Sequence, residues 1–271
     1  MNTLERKCVD AVWAYYERSG RHTLPWRRTQ NPYHILVSEV MLQQTQVDRV
    51  IPKYIQFLKR FPTMKKLASA PLGEVLQEWQ GLGYNRRAKM LHECAKVIVH
   101  SFRGRTPKSY AELLTLPGVG PYTAGAVMAF AYNSGVPIVE TNIRTVFIHH
   151  FFPNETDIKE QQIFAIAERL LDHERPRDWH YALMDYGAYL KKTIGNVNTR
   201  STTYIKQSTF LGSDRQIRGA ILKLLVQGSL TRLMLHARLP FDILRIDAQL
   251  ERLREEGMIV CTRSRYHVPR V

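Results

Sequence analysis

The chain of 271 residues carries 39 Lys and Arg against 24 Asp and Glu, a formal charge of +15 that favours a polyanionic partner such as nucleic acid. Its three cysteines, Cys8, Cys94 and Cys261, lie too far apart for a disulfide framework or ordinary metal-ligand spacing. No apolar run reaches membrane-spanning length, and the N-terminus lacks the apolar core of a signal peptide. We therefore expect a cytosolic protein that has no membrane partner.

Apolar residues recur at helical spacing through most of the chain, as in Val9, Val12, Trp13 and Tyr16. Frequent Pro and Gly residues divide this pattern into short helices. The sequence therefore predicts a mainly α-helical domain that ends at about residue 205.

Glu39 is an ionisable residue inside an apolar segment, between Ile35–Val37 and Val40–Leu42. If the segment is buried, desolvation raises the pKa of this carboxyl toward the range of a general acid. The alternative is a glutamate on the helix surface that points to solvent.

The segment Leu-Pro-Gly-Val-Gly at 116–120 separates two helical patterns, Tyr110–Leu114 and Tyr122–Tyr132. Its two glycines permit backbone conformations and close approaches that a Cβ would block. Such a turn exposes amides at the start of the following helix, where the helix dipole also favours a phosphate. A tight helix-helix turn without a ligand uses the same residue types.

Residues 191–213 are polar and lack an apolar period, which indicates a long connection. A second unit follows, with predicted helices at Ile217–Leu225, Leu230–Ala237 and Phe241–Glu256 and a hairpin around Arg263–Arg265. Three helices and a small hairpin are the outline of a winged helix. The predicted organisation is a helical domain at 1–205, a linker at 206–213 and a winged-helix domain at 214–271.

Four motifs in order resemble the MutY family of adenine DNA glycosylases, within the superfamily that includes endonuclease III. They are Ser38–Val47 (SEVMLQQTQV), Trp79–Tyr84 (WQGLGY), Leu116–Gly125 (LPGVGPYTAG) and Ala182–Gly187 (ALMDYG). The resemblance covers residues 8–190. It implies a mainly α, two-lobed helix-hairpin-helix DNA glycosylase fold with a cleft between the lobes.

The resemblance also implies roles for single residues in base removal. Base removal needs a proton on the departing base, a stabilised sugar cation and a nucleotide rotated out of the duplex. Glu39 would donate the proton, and Gln44 would enter the base stack while Tyr84 wedges beside the opposite base. Gln43 is expected to bind DNA as well. Arg27 would lie near the extruded base. The hairpin residues expected to bind DNA are Leu116, Gly118, Val119 and Gly120. From the residues alone, Tyr84 is equally a half-buried aromatic and Gln44 a helix cap.

The second carboxylate departs from the family pattern, because Glu140 stands where the family has Asp. Its charge can still stabilise an oxocarbenium ion, although the extra methylene moves the carboxylate by about one C–C bond. Asn142 would orient this carboxylate or the sugar. Alternatively, Glu140 only caps a helix that begins near Thr141.

Tyr122 occupies the position of the Schiff-base lysine of endonuclease III. No amine is then available to attack the sugar C1′, so the expected enzyme is a monofunctional glycosylase without efficient AP lyase activity. Tyr122 would instead contact the sugar or phosphate, or only pack.

Two family parts are missing from the sequence. The four cysteines that follow the Met-Asp-Tyr-Gly motif in most relatives are absent, so we expect no iron-sulfur cluster and no other cofactor. In their place Lys191, Lys192 and Arg200 are expected to contact phosphates, unless this segment is a solvated linker. The predicted winged helix replaces the Nudix-like domain; it binds DNA through Arg245, Arg252, Arg263 and Arg265, or docks a protein.

Three functions remain open from the sequence. The first is removal of adenine opposite oxoguanine or guanine, and the second is removal of thymine, uracil or another altered base. The third is a DNA-lesion binder without catalysis. In each case the expected partner is double-stranded DNA with a mismatch or damaged base, and the protein is expected to be a nucleoid-associated monomer.

Overall fold

The computed structural model describes residues 1–207 and 209–269 and is mainly helical. The chain forms two compact units. The first unit comprises Met1–Leu36, Lys108–Thr115 and Val119–Lys206, and the second comprises Val37–Pro107, Leu116–Gly118 and Gln207–Val271. Within the described part of the chain, no helix has both the length and the apolar character needed to cross a lipid bilayer.

Helices that pack around α11 form the first unit. Its elements are α1 (Thr3–Ser19), the start of α2 (Pro32–Leu42), α7 (Tyr110–Leu114), α8 (Pro121–Tyr132), α9 (Thr141–Phe151), α10 (Glu160–Arg169) and α11 (Pro176–Ile194). Helix α1 begins with a capping box between Asn2 and Glu5 and buries one stripe, including Cys8 and Val12. Helix α8 is apolar on nearly every side and is accordingly buried.

A buried ion pair connects α11 to the segment after α1. Asp185 accepts hydrogen bonds from Nη1 and Nη2 of Arg27 at 2.7 and 2.8 Å, and from Nε of Arg21 at 2.6 Å. The guanidinium of Arg27 also lies 4.4 Å from the ring centroid of Tyr181. Burial by itself would raise the pKa of Asp185, but Arg27 and Arg21 outweigh it and hold this pKa below its usual value.

Gly187 brings α11 against α9. A Cβ at this position would overlap the carbonyl oxygen of Asn142, so no larger residue fits without moving one of the helices. The Met-Asp-Tyr-Gly motif therefore contains a buried ion-pair partner, Asp185, and a residue that permits close helix packing, Gly187.

The segment after α11 is more ordered than the polar sequence suggests. Helix α11 extends to Ile194, so Lys191 and Lys192 lie in its last turn and not in the predicted connection. A 3₁₀ turn follows at Val197–Arg200, where buried Asn198 donates to the carbonyl oxygen of Thr141 at 3.1 Å. The long connection predicted from residue 191 is wrong over this stretch, because one buried amide fixes it to α9. Ser208, in the predicted linker at 206–213, lies outside the described residues.

The second unit has a helical part followed by a C-terminal part. The helical part contains the end of α2, then α3 (Val47–Arg60), α4 (Met64–Ser69), α5 (Leu72–Trp79) and α6 (Arg86–Ser101). Phe57, Trp79 and Leu91 are fully buried in its core. Core residues of α3 recur at Val50, Tyr54 and Phe57, which is the spacing of one helix face.

The C-terminal part is helix, strand, two helices and two strands. Its elements are α12 (Asp214–Gln227), β1 (Leu230–Thr231), α13 (Arg232–Arg238), α14 (Ile243–Glu255), β2 (Val260–Thr262) and β3 (Arg265–His267). The strands form an antiparallel sheet in the order β1-β3-β2, with Leu230 opposite Tyr266 and Cys261 opposite Tyr266. This order is typical of a winged helix. The sequence-based helix over Leu230–Ala237 is wrong at its start, because Leu230 and Thr231 pair with β3 and add a third strand to the predicted hairpin.

We expect Asp185→Asn to destabilise the protein by about 3 kcal/mol, because two arginines lose a buried counter-charge. The depressed pKa of Asp185 means that its contribution is present above the usual value of 3.8 and is lost as pH falls through the lower value of the folded state. Urea unfolding should therefore show a gap between wild type and Asp185→Asn that is largest near pH 7 and narrows in acid. Asp178→Asn, at an exposed position of α11, serves as the control. An equal gap at all pH values would contradict the role of the ion pair.

Candidate active site and nucleic-acid interface

Glu39 lies in α2, on the part of this helix that belongs to the second unit. Its relative exposure is 4%, and its neighbours Ser38, Val40 and Met41 are buried as well. The prediction of a carboxyl inside a buried segment is thus confirmed, and the alternative of a solvent-facing glutamate is not what the structure shows. Burial disfavours the charged form of a carboxyl, which is the condition that a general acid needs.

Arg87 fixes the turn that follows α2. One terminal nitrogen of its guanidinium donates to the carbonyl oxygens of Val40 and Met41 at 2.8 and 2.9 Å, and also to that of Gln43. These are carbonyls at the end of a helix, which have no partner within the helix. A cation at this end also interacts favourably with the helix dipole.

The same guanidinium fixes a second turn, between α5 and α6. Its other terminal nitrogen donates to the carbonyl oxygens of Leu82 and Gly83, each at 3.2 Å, and to Oγ1 of Thr45 at 3.0 Å. Burial lowers the pKa of Arg87 to about 10, so the group remains charged at neutral pH. A single side chain therefore connects the two turns that carry Gln44 and Tyr84.

Gln44 and Tyr84 both have left-handed backbones, with φ values of 54° and 46°. Residues other than glycine, asparagine and aspartate rarely adopt this region, and such strain persists only where the surroundings impose it. Gln44 is exposed, Gln43 and Tyr84 are partly exposed, and the ring of Tyr84 lies 5.5 Å from the guanidinium carbon of Arg87. The structure thus brings the predicted wedge residues Gln44 and Tyr84 together; their insertion into DNA stays a prediction.

The predicted hairpin joins α7 to α8. Its apolar residues Leu116 and Val119 are buried, whereas Gly118 and Gly120 are exposed. Gly118 has φ of +74°, and a Cβ there would lie 2.6 Å from Cβ of Met90, so this position requires glycine. Gly120 has an extended backbone with φ of −93°, which any residue adopts, so only a close approach of a ligand would require glycine here, and that approach stays a prediction.

The start of α8 offers its backbone amides to a ligand. Gly120 is the N-cap, Pro121 occupies the first turn, and no described side chain caps this end. Uncapped amides at the positive end of a helix dipole are suited to a phosphate. A Cβ at Gly120 would meet no atom within 4 Å, so the space beside this residue is open to the backbone of a nucleic acid.

Glu140 is the N-cap of α9. Its Oε1 accepts from the backbone amides of Asn142 and Ile143, both at 2.8 Å, and its Oε2 accepts from Oγ1 of Thr141 at 3.0 Å and Nδ2 of Asn142 at 3.2 Å. The capping alternative is therefore what the geometry shows, and Asn142 orients the carboxylate. Two bonds at each oxygen use its lone pairs, so Glu140 can act on a ligand through its charge more readily than as a base.

The other residues predicted to contact DNA lie in several different elements. Tyr122 lies in the first turn of α8 and is partly exposed. Lys191 and Lys192 are exposed on α11. Arg27 is buried in its ion pair with Asp185, and its predicted contact with DNA stays a prediction. Arg200 donates to the carbonyl oxygens of Phe152 and Pro153 at 2.8 Å each, directly after α9. Its contact with a phosphate stays a prediction.

Three of the four C-terminal arginines also have partners within the protein. Arg245 and Arg252 both reach Asp214, at 2.7 and 3.5 Å, and Arg265 donates to the carbonyl oxygen of Ser229 at 2.8 Å. Arg263 lies at the tip of the β2–β3 turn, with φ of 48°. Phosphate contacts by this part of the chain stay a prediction.

The family model of the HhH-GPD superfamily base excision DNA repair proteins matches residues 37–173. This range holds the buried Glu39, the two turns bound by Arg87, the hairpin and Glu140. The chain belongs to this superfamily.

Curated adenine DNA glycosylases are among its relatives. The enzyme of Mycolicibacterium smegmatis is 35% identical over 91% of this chain and 90% of its own length. That of Buchnera aphidicola (subspecies Baizongia pistaciae) is 40% identical over 65% of this chain, and that of Homo sapiens is 40% identical over 66%. The chain spans half of the Buchnera enzyme and 35% of the human enzyme.

Solved structures of superfamily members have the same helical fold. A thermostable thymine-DNA glycosylase has a TM-score of 0.63 and 29% identity, over 69% of this chain and 87% of its own. Endonuclease III in a non-covalent DNA complex has a TM-score of 0.59 at 21% identity, over 70% and 87% of the two chains, which shows the fold alone. The predicted mainly α, helix-hairpin-helix glycosylase fold is thus confirmed.

The residues of this chain do not fit the iron-sulfur cluster that the resemblance to the MutY family implies. Four thiolates are needed, whereas the sequence has three cysteines, of which Cys8 and Cys94 are buried and Cys261 is exposed. In the segment after α11, Asn198 makes the structural contact, donating to Thr141 and to Oγ1 of Thr145 at 2.9 Å.

Sequence reasoning missed several residues that shape the site. Arg87 and Asp185 were not identified, although each lies in or beside a quoted motif. Arg87 follows the predicted wedge residue Tyr84 by three positions, and Asp185 is a charged residue in a buried helix. Both patterns indicate a functional or structural role, but neither shows which residue the side chain binds. Asn198 and Arg215 gave no local signal, because their contacts are with residues far away in sequence.

We expect Arg87→Lys to lower the free energy of unfolding by about 2 kcal/mol, because one ammonium cannot serve the carbonyls of both turns. Binding to duplex DNA should weaken too, since Gln44 and Tyr84 lose their fixed positions. Arg86→Lys, the exposed neighbour on α6, is the matched control. Urea unfolding and DNA titration measure both effects; unchanged values for Arg87→Lys would disprove its positioning role.

Proposed function

We propose that this protein is a base excision DNA glycosylase that extrudes adenine mispaired with guanine or oxoguanine and hydrolyses its N-glycosidic bond. The observation that carries the proposal is Glu39, a carboxyl with 4% exposure inside the matched superfamily range. The relatives of similar length, from Mycolicibacterium smegmatis and Mycobacterium tuberculosis, are adenine DNA glycosylases.

Two acidic residues have separate roles in the proposed reaction. Glu39 donates a proton to the departing adenine, which makes the base a better leaving group. Glu140 opposes the positive charge that develops on the sugar, and its four hydrogen bonds hold the carboxylate in place for that purpose. Water then attacks the sugar, and the products are free adenine and an abasic site.

The DNA contacts in this proposal come from backbone and side chains. Gly118, Val119 and Gly120 present amides to a phosphate next to the extruded nucleotide, and Leu116 anchors the turn. Lys191 and Lys192 supply exposed positive charge at the end of α11. Gln44 fills the space that the adenine leaves, and Tyr84 wedges beside the opposite base.

Removal of thymine or uracil from mismatches is the second candidate function. The structure with a TM-score of 0.63 at 29% identity is a thymine-DNA glycosylase. Glu140 in place of the aspartate implied by the family resemblance also favours a changed substrate.

The enzyme is proposed to work as a monomer on double-stranded DNA, without a cofactor, in the cytoplasm. If no substrate is cleaved, the remaining candidate is a lesion-binding protein.

A panel of duplexes tests the substrate. We expect release of adenine opposite guanine and oxoguanine, detected by alkaline cleavage of the abasic site, and little release of uracil or thymine opposite guanine. Glu39→Gln should slow adenine release by about 10² to 10⁴, because it removes the general acid. Glu255→Gln, at an exposed position of α14, is the control.

The results of the panel separate the three candidates. Release of uracil or thymine with adenine retained would establish the second candidate. Tight binding of every duplex without cleavage would leave the lesion-binding protein. Glu140→Asp, which retains the charge on a shorter side chain, should slow release without altering the preferred base.

Borohydride trapping tests the absence of AP lyase chemistry. A lysine Schiff base with the sugar is reduced to a stable protein–DNA adduct, whereas direct hydrolysis leaves nothing to trap. We expect no adduct with wild type and a measurable adduct with Tyr122→Lys, which places an amine in the first turn of α8. Rapid trapping of wild type would show that the protein is bifunctional.

A further inference from the structure

The 3₁₀ turn that follows α11 contacts both ends of α9. This turn, Val197–Arg200, lies after the matched superfamily range. At the start of α9, Nδ2 of Asn198 donates to the carbonyl oxygen of Thr141 at 3.1 Å. At the other end, Arg200 donates to the two carbonyl oxygens that directly follow the helix. The turn therefore holds α9 at both of its termini.

The chain around and after this turn is fixed as well. The amide of Ile158 donates to the carbonyl oxygen of Arg200 at 3.0 Å, and the amide of Thr202 donates to that of Ile158 at 3.1 Å. Oγ1 of Thr203 donates at 3.2 Å to Glu160, which is also ion-paired with α9. These contacts keep the 3₁₀ turn against α9, so its buried amide has a fixed position.

The side-chain amide of Asn198 has a defined orientation. Its nitrogen donates to the carbonyl oxygen of Thr141, which can only accept, and to Oγ1 of Thr145 at 2.9 Å. Its oxygen is buried and has no hydrogen-bond partner among the described residues. An unsatisfied buried acceptor costs stability, so the favourable contribution of this side chain comes from its nitrogen.

The first turn of α9 determines where the carboxylate of Glu140 lies. That carboxylate accepts from two backbone amides of this helical turn and from the hydroxyl of Thr141. Because the donors belong to one turn of helix, the carboxylate moves with it. Asn198 contacts the same turn at the carbonyl oxygen of Thr141, and Gly187 lies against the carbonyl oxygen of Asn142.

The proposed chemistry makes this position important. A negative charge stabilises a developing sugar cation only if it is already in place, and a displacement of about 1 Å can cost roughly a hundredfold in rate. Glu140 has one more rotatable bond than the aspartate that the family resemblance implies. A longer side chain loses more conformational freedom when it is held, so its anchors have more to supply.

We propose that Asn198 is a positioning residue for base removal, which holds the carboxylate of Glu140 in place through Thr141. This inference rests on the proposed function. Asn198 acts through the first turn of α9 and not by contact with the substrate. A residue outside the matched superfamily range thereby contributes to the rate of the chemical step.

The test is single-turnover release of adenine opposite guanine, with enzyme in excess. Asn198→Leu retains the shape of the side chain and removes the amide, so the rate constant should fall by about tenfold to a hundredfold. Binding of the intact duplex, measured in a Glu39→Gln background, should remain unchanged. Thr199→Ala is the control, because Thr199 is exposed and its hydroxyl donates only to the carbonyl oxygen of Asn196, within the same segment.

A matched pair at Thr145 tests the same contact from the other side. Thr145→Val retains the shape but removes the hydroxyl that accepts from Asn198 and donates to the carbonyl oxygen of Thr141. Thr145→Ser retains the hydroxyl. We expect slower release by Thr145→Val and release close to that of wild type by Thr145→Ser. Circular dichroism and the unfolding midpoint show whether each variant is folded, and this pair decides the question if Asn198→Leu does not fold.

A double-mutant cycle separates positioning from general damage to the fold. In a Glu140→Gln background the carboxylate is absent, so Asn198→Leu should have little further effect on the rate constant. An equal fold loss in both backgrounds would overturn the proposal. So would rate constants of Asn198→Leu and Thr145→Val that equal that of wild type, or a loss of duplex affinity that accounts for the slower release. Failure of the proposed function is distinct from these results, because wild type would then release no adenine from any duplex.

Discussion

The guanidinium of Arg87 is the interaction on which the two turns with the proposed DNA wedge residues depend. It donates to carbonyl groups at the end of α2, which have no partner within that helix, and to carbonyl groups in the turn before α6. Gln44 and Tyr84 lie in those turns with φ values that cost energy, and a rigid connection between the turns keeps them there. If the two turns were flexible, Gln44 and Tyr84 would not be held in place in the free protein. Ordering the turns on binding DNA would then reduce the free energy of binding.

In the first unit, contacts of α11 and the turn after it fix the neighbouring segments in a similar way. Asp185 holds Arg27 and Arg21, Gly187 permits α9 to approach, and Asn198 connects the following 3₁₀ turn to the start of α9. Gly187 lies against Asn142 and Asn198 donates to Thr141, so two of these contacts are made with the residues directly after Glu140. The position of this carboxylate therefore depends on how α11 and the 3₁₀ turn after it pack against the start of α9.

The two acidic residues differ in surroundings, and this difference suits different roles. Glu39 is almost entirely removed from solvent, with a relative exposure of 4%. Glu140 is partly exposed, and four hydrogen bonds hold its carboxylate at the N-terminus of α9. One proton donor and one fixed negative charge are what cleavage of an N-glycosidic bond requires.

The sequence by itself determined the helical class, the hairpin at 116–120, the buried position of Glu39 and the membership of a glycosylase superfamily. These features are local: apolar spacing, a Gly-containing turn and short motifs report the conformation of the segment in which they occur. Only the tertiary structure decided that Glu140 caps α9, that Arg27 is buried against Asp185, that Leu230 and Thr231 form a strand, and that Arg215 and Gln207 reach Tyr84. The partners in these contacts lie from 2 to more than 150 residues away along the chain. Side-chain hydrogen bonds and strand pairing of this kind produce no periodic pattern in the sequence.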